Sequence, residues 1–101
     1  MDKAILNGVE GIGFARVHHE PGAQIHCTGV FEPEDRLAAL MFVELIENGE
    51  TTSFDGVMED EERQWNLRFP VTITKIEILP ETRRIEFIST SNPYVHADNT
   101  S

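Results

Sequence analysis

The clearest alternation in the chain runs from Arg63 to Phe69, where Arg63, Trp65, Leu67 and Phe69 alternate with Gln64, Asn66 and Arg68. A period of two puts one set on one face of a strand, so this segment reads as a half-buried strand that ends at Pro70. Val9–His19 alternates in the same way, interrupted by Gly11 and Gly13, which suggest a bulge or the close approach of another backbone. Glu20-Pro21-Gly22-Ala23 is a tight turn, and Gln24–Val30 returns antiparallel to the strand before it. Ala4-Ile5-Leu6 is a short apolar run closed by the turn signal Asn7-Gly8. Further on, Glu50–Met58, Val71–Leu79 and Arg84–Thr90 read as strands, the last with Ile85 and Phe87 inward. Asp55-Gly56 reads as a bulge or an early turn. The alternation slips at Thr74-Lys75, as a bulge would make it do.

Only Glu32–Gly49 has helical character and length. Pro33 suits a first helical position, and Glu34 and Asp35 suit the first turn, where carboxylates meet the positive end of the helix dipole. Asn48-Gly49 is a left-handed stop. Ala38, Met41, Phe42, Leu45 and Ile46 form one face on a helical wheel, whereas Leu37, Leu40 and Val43 fall outside it. The apolar arc is wider than packing on one sheet requires. Either the sheet wraps the helix or a second molecule covers its flank.

The same residues admit a hairpin around Asn48-Gly49, with Met41–Glu47 and Glu50–Met58 as its strands. On that reading Val43-Glu44-Leu45, Asn48-Gly49, Phe54 and Gly56 loosely resemble the first motif of Sm-like barrels, with the glycine displaced and no basic surface. The helix is preferred because Leu37–Ile46 is long for a strand.

The expected fold is α+β: a curved antiparallel sheet of about six to seven strands, mostly hairpins, packed on one central helix. The expected order is three strands, the helix and four strands. Residues 1–90 are expected to form one domain and residues 91–101 a flexible tail of Ser, Asn, Pro, His, Asp and Thr.

Charge changes the picture. The chain of 101 residues carries a net charge of −10, and its acid is concentrated. Between Glu32 and Glu62 stand eleven carboxylates and one base, Arg36; elsewhere seven carboxylates balance seven bases. Such a field repels nucleic acid and phosphorylated ligands and favours basic partners. One cysteine and the lack of a long apolar run point to a reducing, cytoplasmic setting with no membrane association.

One cluster is the best candidate for chemistry. His18, His19, His26 and Cys27 are ligand types, but metal binding needs three or four of them to converge. A hairpin tipped by Pro21-Gly22 places His19 opposite Gln24, His18 opposite Ile25 and Val17 opposite His26, which leaves two candidates on each face. Gly8–Gly13 is no dinucleotide fingerprint, since Arg16 stands where the last glycine belongs. No catalytic set and no cofactor are expected. Trp65 is expected in the core.

The expected partner-binding residues are Glu44, Glu47, Asp55, Glu59, Asp60, Glu61 and Glu62, facing a basic protein surface. Homodimer formation through Leu37, Leu40 or Val43 is also expected. The alternatives are a phage-type inhibitor that mimics nucleic acid in a host defence enzyme, and a metal protein or enzyme built on the His/Cys hairpin.

Overall fold

The structure is a computed structural model and describes residues 1–89 and 92–94. Strands β1 (Asp2–Leu6) and β2 (Val9–His18) form a hairpin in which Asn7 and Gly8 both have positive φ, 53° and 78°. Two positive φ values define the two-residue turn whose twist matches its strands, and Asn-Gly adopts it with little strain. Strand β3 (His26–Pro33) follows, then a 3-10 helix (Arg36–Phe42) that runs directly into helix α1 (Val43–Asn48). Strands β4 (Thr51–Glu59), β5 (Gln64–Ile78) and β6 (Arg83–Ser89) complete the fold.

The six strands close into a barrel in the order β1-β2-β3-β6-β5-β4. Strand β4 makes the seam. It pairs antiparallel with β1 at Ile5↔Asp55 and Leu6↔Phe54, then parallel with β2 from Phe14↔Val57 to Arg16↔Glu59. Leu6, Phe31, Phe54, Leu67 and Phe87 fill the interior and are almost fully buried. The ring of Phe54 lies 4.6 Å from that of Phe87 and 5.7 Å from that of Phe69. The inner face of β2 is lined by Gly11, Gly13 and Ala15, and at both glycines the backbone of the neighbouring strand β3 comes close. No helix among the described residues is long and apolar enough to cross a membrane.

An α+β protein with an antiparallel sheet and one short helical region is therefore what forms, with several corrections to the finer expectations. There are six strands, because β5 continues through Pro70. Pro70 pairs with Ser53 of β4, and β6 joins β5 only from Thr72 onward, so the missing N–H costs no ladder bond on that flank. The expected slip is real: the β5–β6 register shifts between Ile73 and Lys75. Asp55-Gly56 is neither bulge nor turn, and stays in register with Arg68 and Leu67.

The helical region starts later than expected. Pro33 ends β3, and Asp35 is the N-cap, its Oδ1 accepting from the Leu37 N–H at 2.9 Å. The closing signal holds: Gly49 is left-handed at φ 64°, and the N–H groups of Gly49 and Glu50 bond back to Ile46 and Leu45. Val43–Asn48 is helical, which removes the hairpin alternative. The sheet closes on itself, and the helical segment packs mainly on β5, β3 and β6 at the end of the barrel where β3 stops and β4 starts.

Of the segment read as a tail, Asn92–Tyr94 are described: Pro93 is fully buried, and Tyr94 packs against the core. Residues 91 and 95–101 lie outside the described residues.

Candidate functional site

The β2–β3 hairpin places the histidines in a different register from the one expected. His18 faces His26, and Val17 faces Cys27. The expected turn does form, with the Ala23 N–H bonded to the Glu20 carbonyl at 3.1 Å and Gly22 at φ 80°. A turn of the ordinary hand splays its strands, so pairing begins only beyond it, at His18 and His26. The two imidazoles stack on the outer face, with centroids 5.0 Å apart and planes at 23°. His18 Nε2 bonds Thr28 Oγ1 at 2.8 Å. His26 Nδ1 lies 3.3 Å from the Gln24 carbonyl oxygen, which only accepts, so that nitrogen carries the proton.

Cys27 points the other way and is completely buried. Burial pushes its thiol up to about 12, with a backbone hydrogen bond at Ser89 offsetting part of the effect. His18 and Cys27 therefore do not form a nucleophile pair. His19 lies apart, in a hollow shared with Val17, Asp60 and Tyr94. Among the described residues no group of three or more His, Cys, Asp or Glu side chains could hold a metal ion.

The Cys27 environment has a measurable consequence. The folded state holds the thiol proton more tightly than the unfolded state, whose ordinary value is 9.0. The associated stability is complete below pH 9.0 and is lost as pH rises towards about 12. A thiol-specific dye should accordingly react at native pH only at the rate of global unfolding, and Cys27→Ala should flatten the alkaline limb of the stability curve. Fast native labelling would show that the thiol is accessible.

The acidic candidates occupy three places. Glu44 and Glu47 stand exposed on α1, Asp55 and Glu59 are on the outer face of β4, and Asp60, Glu61 and Glu62 form the β4–β5 loop. Strand β4 joins the two groups across nine residues, roughly 26 Å at the usual rise.

These carboxylates are not equivalent. Asp60 Oδ1 accepts from the backbone N–H groups of Glu62 at 2.8 Å and Arg63 at 2.9 Å, and its Oδ2 accepts from the Tyr94 hydroxyl at 3.1 Å. Those bonds, the one from Glu62 first, hold its pKa below the usual carboxylate range. Asp60 is therefore engaged in shaping the turn. Glu59 Oε2 accepts from Gln64 Nε2 at 3.3 Å, and Asp55 sits opposite Arg68, whose Nε donates to Ser53 Oγ at 3.3 Å. The ion pairs among the described residues are Asp60–Arg63 and Lys75–Glu86, each at 3.7 Å. Glu44, Glu47, Asp55, Glu61 and Glu62 have no such partner there.

Trp65 is only partly core. It closes the barrel end away from the helix, beneath a cover the sequence did not announce. Tyr94 stacks on it at 5.9 Å, and the Arg63 guanidinium lies 4.6 Å from the Trp65 ring and 5.6 Å from the Tyr94 ring.

Leu37, Leu40 and Val43, which the sequence set apart from the buried stripe, are exposed on the helical segment, and Met41 joins them. In a 3-10 helix residues three apart line up. Ala39 and Phe42 form the inner line and are fully buried; Phe42 meets Phe31 edge-on at 6.3 Å. Leu37, Leu40 and Val43 form an outer line, with Met41 beside it. Leu37 is 71% exposed, Met41 61% and Leu40 56%. Met41 was expected on the buried face, where α-helical spacing would have put it.

In comparisons with known proteins, the chain matches no family model, no curated protein and no solved structure.

Proposed function

We propose that this protein is a non-enzymatic interaction module that binds a basic surface of another protein through its acidic middle segment. The observation that carries the reading is the unneutralised acid of that segment. Glu44, Glu47, Asp55, Glu61 and Glu62 are exposed and form no ion pair among the described residues, on a chain with net charge −10. Charge of one sign on one segment steers an oppositely charged partner and sets the salt dependence of binding. Asp60 and Glu59 are less available, because their oxygens already accept hydrogen bonds.

The test is quantitative. Proteins retained by the immobilised chain at low salt are identified, and each is reconstituted pure. Neutralising Glu47, Asp55, Glu61 and Glu62 to Gln or Asn should weaken the reconstituted binding about tenfold or more, and raising salt from about 50 to 500 mM should do the same. Binding that ignores both changes would end the proposal. The nucleic-acid-mimic reading uses the same carboxylates; it requires the retained protein to be a nucleic-acid enzyme whose substrate competes for the site.

A further inference from the structure

The strongest feature that the charge pattern leaves unused is the outer line of the helical segment. Isolated exposed apolar residues are ordinary, but a contiguous apolar row beside charged residues marks an interaction surface. The row is held firmly. Phe42 and Ala39 anchor its inner side, and Arg83 fastens its approach by donating from Nε to the Pro33 carbonyl at 2.6 Å and from its terminal nitrogen to the Glu34 carbonyl at 2.8 Å. A surface anchored in this way loses less entropy on binding than an unanchored one.

The rim decides what fits. Glu34 and Asp35 precede the row, Glu44 and Glu47 follow it, and Arg36 is the one base between them. A second copy meeting this face in antiparallel two-fold fashion about Leu40 would set Arg36 of one molecule beside Glu44 of the other. Each face nevertheless brings four carboxylates against that one base, on molecules that already carry −10 each, and the net repulsion opposes self-association. A partner with basic residues on both sides of an apolar strip meets complementary charge at Glu34, Asp35, Glu44 and Glu47, with Arg36 the exception.

We propose that Leu37, Leu40, Met41 and Val43 are the apolar anchor of the docking site, and that its occupant is a segment of another protein with an apolar face flanked by Lys or Arg. The inference rests on the basic-partner reading above and relocates its energetic centre. The unpaired carboxylates steer; the helical row holds. Buried apolar anchors carry most of an interface's binding energy, while charges at its edge chiefly govern approach.

The test uses two labelled peptides of identical composition, followed by fluorescence anisotropy with the full chain. One is a helix with Leu at i, i+3, i+4 and i+7 flanked by Lys, and the other is its scramble. The patterned peptide should bind about tenfold tighter than the scramble, equivalent to ~1.4 kcal/mol. Leu40→Asp should remove that preference while leaving the urea midpoint unchanged, since Leu40 is exposed. Equal binding of both peptides, unaffected by Leu40→Asp, overturns the inference and leaves the charge reading standing. Binding of neither peptide at low salt overturns both. A concentration-dependent dimer in sedimentation that Leu40→Asp converts to monomer assigns the row to a second copy and also overturns the inference.

Discussion

Alanine in place of Phe42 should destabilise the protein by about 3–5 kcal/mol, the usual range for deleting a fully buried aromatic side chain. Phe42 is 0% exposed, joins the core and meets the Phe31 ring at 6.3 Å. It is the inward anchor of a segment that the i to i+3 bonds of its own 3-10 turns hold only weakly. The helical stretch from Arg36 to Asn48 is too short to be stable alone, so its order comes from packing. Urea unfolding followed through Trp65, the one tryptophan, measures the loss. Phe42→Leu keeps most of the volume and should cost well under half as much. A loss below about 1 kcal/mol for Phe42→Ala would mean that the segment does not depend on this anchor. Because the exposed row is carried by the same segment, Phe42→Ala should also abolish discrimination between the two peptides.

Gly11→Ala should be comparably damaging for the opposite reason. A Cβ there would collide with the Glu32 carbonyl oxygen and come within 2.7 Å of Phe31 Cζ and 2.9 Å of Pro33 Cα. Two of those neighbours are backbone of β3, so no rotamer change relieves the contact and the β2–β3 pair must shift. Overpacking of this kind costs about 1–3 kcal/mol, and the backbone contacts put Gly11 at the upper end of that range. Gly8→Ala is the informative contrast: nothing lies within 4 Å of its added Cβ, and only the positive φ of 78° opposes it, for about 1 kcal/mol. Gly11→Ala no worse than Gly8→Ala in the same urea experiment would show that β3 does not press against β2.

Much of the local structure was legible. Alternation located the strands within a few residues, Asn7-Gly8 and Asn48-Gly49 marked a hairpin and a helix end, and the slip near Thr74 marked a register shift. Strand-to-strand contacts were less so. The His18↔His26 pairing depended on how far the Pro21-Gly22 turn spreads its strands, and a one-residue change of register exchanged the partners on both faces. The packing of Tyr94 on Trp65 was hidden in a polar segment whose composition suggested a loose end. The acidic residues were legible as a list. Their inequality was not, because it depends on which backbone N–H groups Asp60 caps.

The chain alone determined which segments are extended, to within a few residues, where the helix stops and how lopsided the charge is. All of these follow from neighbours a few positions apart. Tertiary structure decided that the sheet closes through β4, with its parallel step onto β2, and that residues 36–42 wind with a spacing of three. Alternation specifies a face and says nothing about which edges meet. The tighter winding turned Ala39 and Phe42 inward together, and Leu37, Leu40 and Met41 were left in solvent.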